Sequence, residues 1–523
     1  MARNLLLFGT FWILAILLQW KNGAYNSDLG GHADEPAHFV TGLMIRDYVA
    51  GPLWKGQSPI SFAKNYYSRF PKVALGHYPP GFYLAEATCL LLHRSIAMSL
   101  VFCGFATAFT AWLTARIGAS LVGWPLAIGA ASAFCLFRIV QTYTAMVMSD
   151  ILVVALCLLS LIAWARFLAT RNPRWSLAFG GLAAAAILTK GSGLLLTFLP
   201  PLTLVLRREL RLFLNWRLWL AVAPVALLAF PWMLATAHIT EEGMTGQSVG
   251  AYLREALPFF AHQSIAVFGP TVLILLGLSG WGLLWRWCCA PAQESKISPK
   301  EACLWALGGS VYLFYCLVPS GLDSRYLLPA LPPALLLACI TIRKIIPHDY
   351  HLQYWKSSVF RASLIVASAV LLVIGRHSAP AKQIHGPSRL VTELPTGKIV
   401  ICSDPPGEGA LIAAAALLRP NQLSVQRGTK VLSSSDWMRR DYKQAFKSPE
   451  DLVSLLQSAG IGWLVIDTSV PADRKQAHQL LIEDWTKGEA GQNYFKTVFE
   501  IPATRRGIHG SLIVYGVPSS TSN

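Results

Sequence analysis

The chain has 523 residues, of which 54% are hydrophobic and only 14% are charged, and its mean hydropathy is +0.46. A soluble domain carries about 25% charged residues, so this composition excludes an ordinary water-soluble protein. The aromatic content of 11% excludes a disordered chain. Lysine and arginine total 44 against 27 acidic residues, which gives a net charge of +17. In so apolar a chain, this surplus indicates cationic residues collected on the cytoplasmic side of a bilayer rather than binding to nucleic acid.

Up to residue 375 the sequence is a series of apolar segments long enough to cross a bilayer as helices. We predict about eleven spans, at Leu5–Trp20, Ser95–Arg116, Val122–Phe137, Ser149–Ala169, Trp175–Leu188, Gly193–Leu206, Leu218–Ala237, Ser264–Trp285, Ala302–Pro319, Tyr326–Ile342 and Val359–Gly375. The two short segments between Trp175 and Leu206 can also be one broken helix. The first segment is predicted to be a span rather than a signal peptide, because no clear small-residue cleavage site follows it.

A shorter apolar segment, Gly81–His93, fixes the predicted topology. It is only about four helical turns long, so we expect an interfacial or re-entrant helix. With the N-terminus inside, the inner segments then hold a large excess of arginine and lysine, while the outer segments are almost balanced. This asymmetry is typical of the positive-inside rule. The prediction is a multi-pass protein of the cytoplasmic membrane, with its N-terminus inside and its C-terminal part outside.

From Arg376 onward the pattern changes to short apolar runs that alternate with polar helical segments. The predicted strands are Lys398–Ser403, Gly462–Asp467 and Ser511–Gly516, and the predicted helices are Gly409–Leu418 and Ser448–Ser458. Such alternation favours a small α/β domain. The expected fold class is therefore an all-α polytopic membrane domain over residues 1–375, followed by a soluble extracytoplasmic α/β domain over residues 376–523.

Ionisable residues lie at the outer ends of several predicted spans. They are Asp34, Glu35 and His38 in the outer loop Lys21–Pro80, His77 before Pro79-Pro80, Asp150 at the start of a span, Lys190 between two short spans, and Arg325 at the start of a late span. Under the predicted topology all of them fall on one face, near one depth. Ionisable groups at membrane depth are functional candidates because their desolvation is costly.

Each of these residues also has an ordinary structural explanation. The two loop acids can be solvated, Asp150 can cap a helix, and Lys190 can extend to the lipid headgroups. His77 can be a turn residue, and Arg325 can form a surface ion pair with Asp323. The functional interpretation therefore depends on the convergence of these residues at one site.

The order of these motifs resembles a known family. Along the chain come Asp-Glu in the first outer loop, His-x-Pro-Pro-x-x-Tyr, an outer Ser-Asp that opens a span, Thr-Lys-Gly, and Ser-Arg-Tyr-Leu-Leu-Pro-x-x-Pro-Pro. The set resembles the GT-C superfamily of polytopic glycosyltransferases. It is most similar to the branch of protein O-mannosyltransferases, lipid A aminoarabinose transferases and rhizobial lipopolysaccharide galacturonosyltransferases. The resemblance covers Leu5 to Arg343 and makes no claim on the C-terminal domain.

The resemblance implies a polyprenyl-phosphate sugar as donor and a glycan, lipid or protein hydroxyl as acceptor. The catalytic candidates are Asp34, as the base of an inverting displacement, with Glu35 and Asp150. The candidates for binding the donor phosphate are Lys190, Arg325, His77 and His38. Where several relatives carry arginine soon after Asp-Glu, this chain has His38, so a phosphate or sugar contact there would depend on pH. No soluble cofactor and no nucleic acid are expected. A divalent metal is left open, since the spacing carries no ligand signature.

Two other functions compete with the enzyme. A polytopic chain with outward-facing charges can be a lipid or ion transporter, although transporters place such charges near the bilayer midplane and often have internal repeats. The chain can also be a non-catalytic relative that keeps the fold as a scaffold. The motif Trp-Trp-Asp-Tyr-Gly of the N-linked oligosaccharyltransferases is absent from the sequence, so we do not expect transfer of a whole oligosaccharide to asparagine.

Overall fold

The structure, a computed structural model, describes residues 2–289, 297–345, 378–435, 441–488 and 493–518. The first part of the chain is helical up to Ile345, and a six-stranded sheet with flanking helices follows from Ile384. The predicted fold class, a helical membrane bundle followed by an α/β domain, is confirmed.

The α-helices of the first part differ widely in length. In chain order they are α1 Ala2–Lys21, α2 Asp34–Ala50, α3 Pro59–Arg69, α4 Gly81–Leu92, α5 Ile96–Val122, α6 Trp124–Leu136, α7 Arg138–Thr144, α8 Asp150–Thr170, α9 Pro173–Thr189, α10 Leu199–Leu206, α11 Trp216–Trp219, α12 Val222–Pro224, α13 Phe230–Ala235, α14 Ala237–Glu241, α15 Val249–Cys289, α16 Pro299–Leu317 and α17 Leu331–Ile345. Tighter helical turns join some of them, notably Gly191–Phe198 before α10 and Ser324–Ala330 before α17.

Six helical stretches of the described residues are long and apolar enough to cross a membrane: Ala2–Lys21, Ile96–Val122, Asp150–Thr170, Trp216–Ala235, Val249–Cys289 and Ser324–Ile345. There are seven if α6 and α7, which are bent by 61° at Phe137, form one broken span. The shorter helices α9, α10 and α16 occupy the places of the other predicted spans. The last predicted span, Val359–Gly375, lies outside the described residues.

Glycines let the helices of the bundle approach closely. A Cβ built on Gly118 of α5 would lie 2.6 Å from the side chain of Leu336 in α17, and one on Gly180 of α9 would lie 2.1 Å from the carbonyl oxygen of Ala221. Membrane helices associate through such close van der Waals contact, because lipid offers no hydrophobic driving force between them. Small residues therefore set the spacing of the bundle that carries the ionisable residues at the helix ends.

The predicted outer loop Lys21–Pro80 is largely helical, which corrects the expectation of an irregular segment. It contains α2 and α3, and the predicted interfacial helix follows as α4. On α2, Phe39, Val40 and Leu43 are fully buried in the same core cluster as residues of the C-terminal domain. A helix gains most of its stability from packing, and part of the surface that packs against α2 comes from the C-terminal domain, which is distant in sequence.

The C-terminal domain is built on one mixed sheet with the strand order β1-β7-β8-β6-β2-β3. The strands are β1 Ile384–His385, β2 Gly397–Cys402, β3 Leu423–Arg427, β4 Ser433–Ser434, β5 Lys443–Gln444, β6 Trp463–Asp467, β7 Lys496–Arg505 and β8 Ile508–Gly516, with β4 and β5 forming a separate pair. The helices are Pro387–Glu393, Pro405–Leu418, Gly428–Val431, Pro449–Ser458 and Ala477–Lys487. β2 is parallel to β3 and β6, whereas β8 is antiparallel to β6 and β7.

The domain lies directly on the first turn of α2. The helix Pro405–Leu418 packs so closely there that a Cβ on Gly409 would lie 2.7 Å from Pro36 and 3.0 Å from Lys72. The predicted strands and helices of this domain are present, while β3, β7 and the helix Ala477–Lys487 were not predicted. The α/β domain therefore packs beside the turn that carries Asp34 and Glu35, two of the predicted site residues.

Candidate active site

Asp34 lies in the first turn of α2, where the helix dipole favours a carboxylate. Its Oδ2 accepts hydrogen bonds from Arg325 Nη2 at 3.0 Å and from the Tyr78 hydroxyl at 2.9 Å. Burial alone would raise the pKa of Asp34, but the positive charge of Arg325, aided by the nearby histidines and the Tyr78 hydrogen bond, holds that pKa well below its usual range. Asp34 is therefore ionised at neutral pH.

Arg325 is held between two acids. Asp323 caps the turn Ser324–Ala330 by accepting from the Arg325 backbone N–H at 3.0 Å, and its Oδ2 lies 3.2 Å from Arg325 Nε. The arginine side chain is only 7% exposed. Its Nη1 is buried and has no hydrogen-bond partner among the described residues. That unused donor can serve a further anionic group.

Lys190 and Asp150 form a second buried ion pair beside the first. Lys190 follows the last residue of α9, Asp150 opens α8, and the ammonium lies 2.6 Å from Asp150 Oδ1. The two cations share an aromatic neighbour, because the ring of Tyr326 lies 5.6 Å from Lys190 Nζ and 5.5 Å from Arg325 Cζ. Tyr315 stacks on this ring at 4.3 Å. The structure thus brings Asp34, Asp150, Lys190 and Arg325 together.

The two predicted histidines lie in different places. His38 is one helical turn after Asp34, with Nδ1 3.0 Å from the Tyr83 hydroxyl and its ring against Tyr78. Burial lowers the pKa of His38 to about 4, so the ring is uncharged at neutral pH. His77 is half-buried and hydrogen-bonds to the backbone of Ile239 in α14. The structure groups His38 with the centre of the site and His77 with its edge.

Glu35 points away from the cations of the site. Its Oε2 accepts from the backbone N–H groups of Gly30 and Gly31 at 2.9 and 2.8 Å, and its Oε1 pairs with the ammonium of Lys382. The residue is fully buried. Among the predicted catalytic residues, Glu35 therefore has a different environment from Asp34 and Asp150.

Sequence reasoning did not select three neighbours of the central pair. Tyr78 lies within the quoted His-x-Pro-Pro motif, and Asp323 lies two residues before Arg325. His32 accepts from the Asp34 backbone N–H at 3.1 Å, and its other ring nitrogen lies 3.8 Å from Asp323. Tyr78 lies inside a quoted motif, and Asp323 and His32 lie within two residues of one, but only the folded chain shows which atoms are in contact.

The described part of the chain contains no group of three or more His, Cys, Asp or Glu side chains arranged to hold a metal ion. The acids of the site face cations instead, since Asp34 and Asp323 flank Arg325 and Asp150 contacts Lys190. Each of these acids is therefore already paired with a cation of the chain.

Comparison with solved structures identifies the fold. ArnT from Cupriavidus metallidurans bound to undecaprenyl phosphate is similar over 98% of both chains, with a TM-score of 0.57 and 13% identity. The Archaeoglobus fulgidus oligosaccharyltransferase tethered to an acceptor peptide matches 96% of this chain and 74% of its own, with a TM-score of 0.50 and 11% identity. The same oligosaccharyltransferase in complex with Zn and sulfate has a TM-score of 0.51, with 11% identity over 97% of this chain and 74% of its own.

No protein-family model matches the sequence, and no curated protein matches it. At these low identities the structural likeness shows the fold alone, which this chain shares with ArnT and the Archaeoglobus fulgidus oligosaccharyltransferase. The predicted resemblance is thus confirmed at the level of fold. The likeness also includes the C-terminal domain, on which the sequence motifs made no claim.

Proposed function

We propose that the chain is an integral membrane glycosyltransferase that moves a sugar from a polyprenyl-phosphate carrier to an acceptor hydroxyl. The observation that carries the proposal is the contact between the Asp34 carboxylate and the Arg325 guanidinium at 3.0 Å, with the Lys190 ammonium beside the same tyrosine ring. A base and two phosphate-binding cations are what this reaction requires. The undecaprenyl phosphate bound by ArnT supports a lipid-linked donor.

The proposed role of Asp34 is to accept the acceptor's proton. The acceptor oxygen forms a bond to the anomeric carbon while the bond from that carbon to the phosphate oxygen breaks. As its oxygen is alkylated the hydroxyl becomes strongly acidic, so a carboxylate of low pKa is sufficient to take the proton late in the step. A single displacement of this kind inverts the anomeric centre.

The proposed role of Arg325 and Lys190 is to stabilise the leaving group. The lipid phosphodiester carries one negative charge, and the departing phosphomonoester gains a second one during the step. The unused Nη1 of Arg325 and the ammonium of Lys190 are fixed cations for that charge. A phosphate that draws on Arg325 also weakens the hold of Arg325 on Asp34, which raises the basicity of Asp34 when the donor is bound.

The remaining predictions concern orientation and substrate. The positive-inside asymmetry supports a cytoplasmic membrane location with the N-terminus inside and the site, together with the domain over residues 376–523, outside. The packing of Gly409 on Pro36 supports a common side for the domain and the site. The transferred sugar is a hexose or pentose, and the acceptor is a glycan, a lipid or a protein. The sequence left a divalent ion open, and the proposed step does not use one.

The Asp34→Asn variant tests the proposed base. With the full-length protein in nanodiscs and a panel of lipid-linked sugars, we expect its transfer rate to fall by about 10²–10⁴-fold. Donor binding should be kept or become tighter, because Arg325 and Lys190 remain and the variant has no carboxylate that competes for Arg325. Asp484→Asn, at an exposed acid of the C-terminal domain, is the matched control and should keep full activity. Comparing the glycans and lipid-linked sugars of cells with and without the gene would identify the sugar.

Three results would contradict the proposal in different ways. Undiminished transfer by Asp34→Asn would remove Asp34 as the base. Movement of intact lipid-linked sugar between leaflets without transfer would indicate a transporter. A wild-type protein that neither transfers nor transports would indicate a scaffold.

A further inference from the structure

A buried ion pair joins the C-terminal domain to the turn that carries Asp34. Lys382 lies just before β1, and its ammonium contacts Glu35 Oε1. Glu35 is 0% exposed and Lys382 is 8% exposed. Removing one partner of such a pair leaves an uncompensated buried charge, which is strongly destabilising. Each residue therefore depends on the other to keep its place.

Glu35 uses its remaining acceptor capacity on backbone groups. Besides Lys382, its carboxylate accepts from the N–H groups of Gly30 and Gly31, and that of Val147 lies 3.4 Å from Oε1. Gly30 has φ +119°, a conformation that other residues adopt only with strain, so its turn needs specific support. The Glu35 carboxylate supplies that support from inside the turn.

Further hydrogen bonds join the C-terminal domain to this turn and to the residues before it. The N–H of Lys382 donates to the carbonyl of Asn22 at 2.7 Å, and the N–H of Asp28 donates to the carbonyl of Ile384 at 2.7 Å. Arg506, in the β7–β8 turn, donates to the carbonyl of Gly31. Residues 22–31 are thus held by the segment that enters the sheet and by the tip of its hairpin.

The ion pair and these hydrogen bonds directly affect the geometry of the site. Asp34 precedes Glu35 in the first turn of α2, so the backbone that Glu35 fixes also sets the position of the Asp34 carboxylate against Arg325. A misplacement of about 1 Å in a reacting group can reduce a rate by about 10²-fold. Lys382 touches none of the groups proposed to react, so it acts through Glu35.

We propose that Lys382 is a positioning residue, which through Glu35 fixes the turn carrying Asp34 and so makes sugar transfer depend on the C-terminal domain. This inference rests on the proposed function for its kinetic consequence. Its structural content, the ordering of Gly30 and Gly31 by the ion pair, does not.

The test compares Lys382→Met with Lys382→Arg in the full-length protein in nanodiscs. For Lys382→Met we expect kcat to fall by about tenfold or more, while KM for the lipid-linked donor stays within about twofold, because the phosphate-binding cations are untouched. Lys382→Arg keeps the charge and should recover most of kcat. Lys398→Met is the matched control, since Lys398 lies in β2 and bonds to the carbonyl of Ala459, away from the turn.

Hydrogen exchange provides a readout that is independent of catalysis. In Lys382→Met, peptides that contain Gly30 and Gly31 should exchange at least about tenfold faster, while peptides of β2 and β6 keep their rates. If Lys382→Met does not fold, the paired variant Glu35→Gln/Lys382→Met, which buries no unpaired charge, replaces it with the same expected exchange. Unchanged exchange at Gly30 and Gly31 would overturn the inference, and so would unchanged kcat in an active enzyme. An inactive wild type with faster exchange in the variant would count against the proposed function alone.

Discussion

At the scale of single residues, three largely buried acids in and beside the candidate site are each paired with a cation. Asp34 faces Arg325, Asp150 faces Lys190 and Glu35 faces Lys382. Lys72 differs, because its ammonium donates to the backbone carbonyl of Pro405 at 3.3 Å rather than to a carboxylate at contact distance. Burial, together with the nearby charge of Arg427, lowers the pKa of Lys72 to about 7. A group so perturbed makes stability depend on pH.

Lys72→Met should be more stable than the wild type at acid pH. The pKa of Lys72 is about 7 in the folded state against 10.5 when unperturbed, so between these values the unfolded chain binds more protons. Stability therefore rises with pH across that window, and the penalty is fully present below pH 7. We expect the melting temperature of the variant to exceed that of the wild type by about 2 °C or more at pH 6, with a smaller gain at pH 9. Lys447→Met, at an exposed lysine, is the control, and its melting temperature should follow that of the wild type at every pH. If the melting temperature of Lys72→Met stayed parallel to that of the wild type across this pH range, the expectation would be contradicted.

At the scale of elements, the sequence predicted what depends on local pattern. Long apolar runs predicted α5, α8 and α15, and the run Lys398–Ser403 predicted β2, because such segments avoid water whether they face the protein core or lipid. The helix α2 was not predicted, since its apolar face is covered by the helix Pro405–Leu418 from the distant C-terminal domain. β7 was missed for another reason: its first half is largely exposed, and only its second half alternates, with Ile501, Ala503 and Arg505 buried.

For the site too, the sequence predicted what local pattern determines and not what contacts between distant segments determine. The motifs contained Asp34, Lys190 and Arg325, because charged residues at the ends of apolar runs are conspicuous. The direction of the Glu35 side chain could not be predicted, because it depends on the contact with Lys382. That contact exists only in the folded chain. Likewise, the neutral state of His38 follows from the aromatic rings around it and not from its neighbours in sequence.

The packing of α2 on α4 is sensitive to a single methyl group. A Cβ on Gly42 would lie 2.3 Å from Glu86 Oε2 in α4, whereas one on Gly51, at the end of α2, would meet nothing within 4 Å. We expect Gly42→Ala to destabilise the protein by about 1–3 kcal/mol through overpacking and Gly51→Ala to have little effect. Thermal unfolding in detergent measures both. Equal melting temperatures for the two variants would show that the helices can move apart freely.

At the scale of the whole molecule, the helical part of the chain forms the site and the sheet domain supports it. The bundle contributes Asp150, Lys190 and Arg325 from the ends of its helices, and the segment between α1 and α5 contributes Asp34 and Tyr78. The sheet domain contributes no group to the proposed reaction, yet it covers and fastens the segment that does. The proposed orientation places all of these parts on one side of the membrane.

Native cysteines offer a direct test of that orientation. Cys288 and Cys289 at the end of α15 are exposed, while the other cysteines are partly or fully buried. A membrane-impermeant thiol reagent should label the protein in inside-out vesicles and not in right-side-out ones. Replacing both cysteines with serine should abolish that labelling, and adding Lys447→Cys should create labelling from the outer side. Labelling of the native pair from outside would reverse the proposed topology.

The pairing of Glu35 with Lys382 has a consequence for how the protein is made. The two residues are separated by 347 positions, and a ribosome adds about 5–20 residues per second. The segment that carries Glu35 therefore waits roughly 20–70 s after its own synthesis before its ammonium partner exists. Until then the acidic turn lacks its support, so a nascent or prematurely terminated chain can insert into the bilayer without completing the candidate site. Formation of that site is thereby tied to completion of translation.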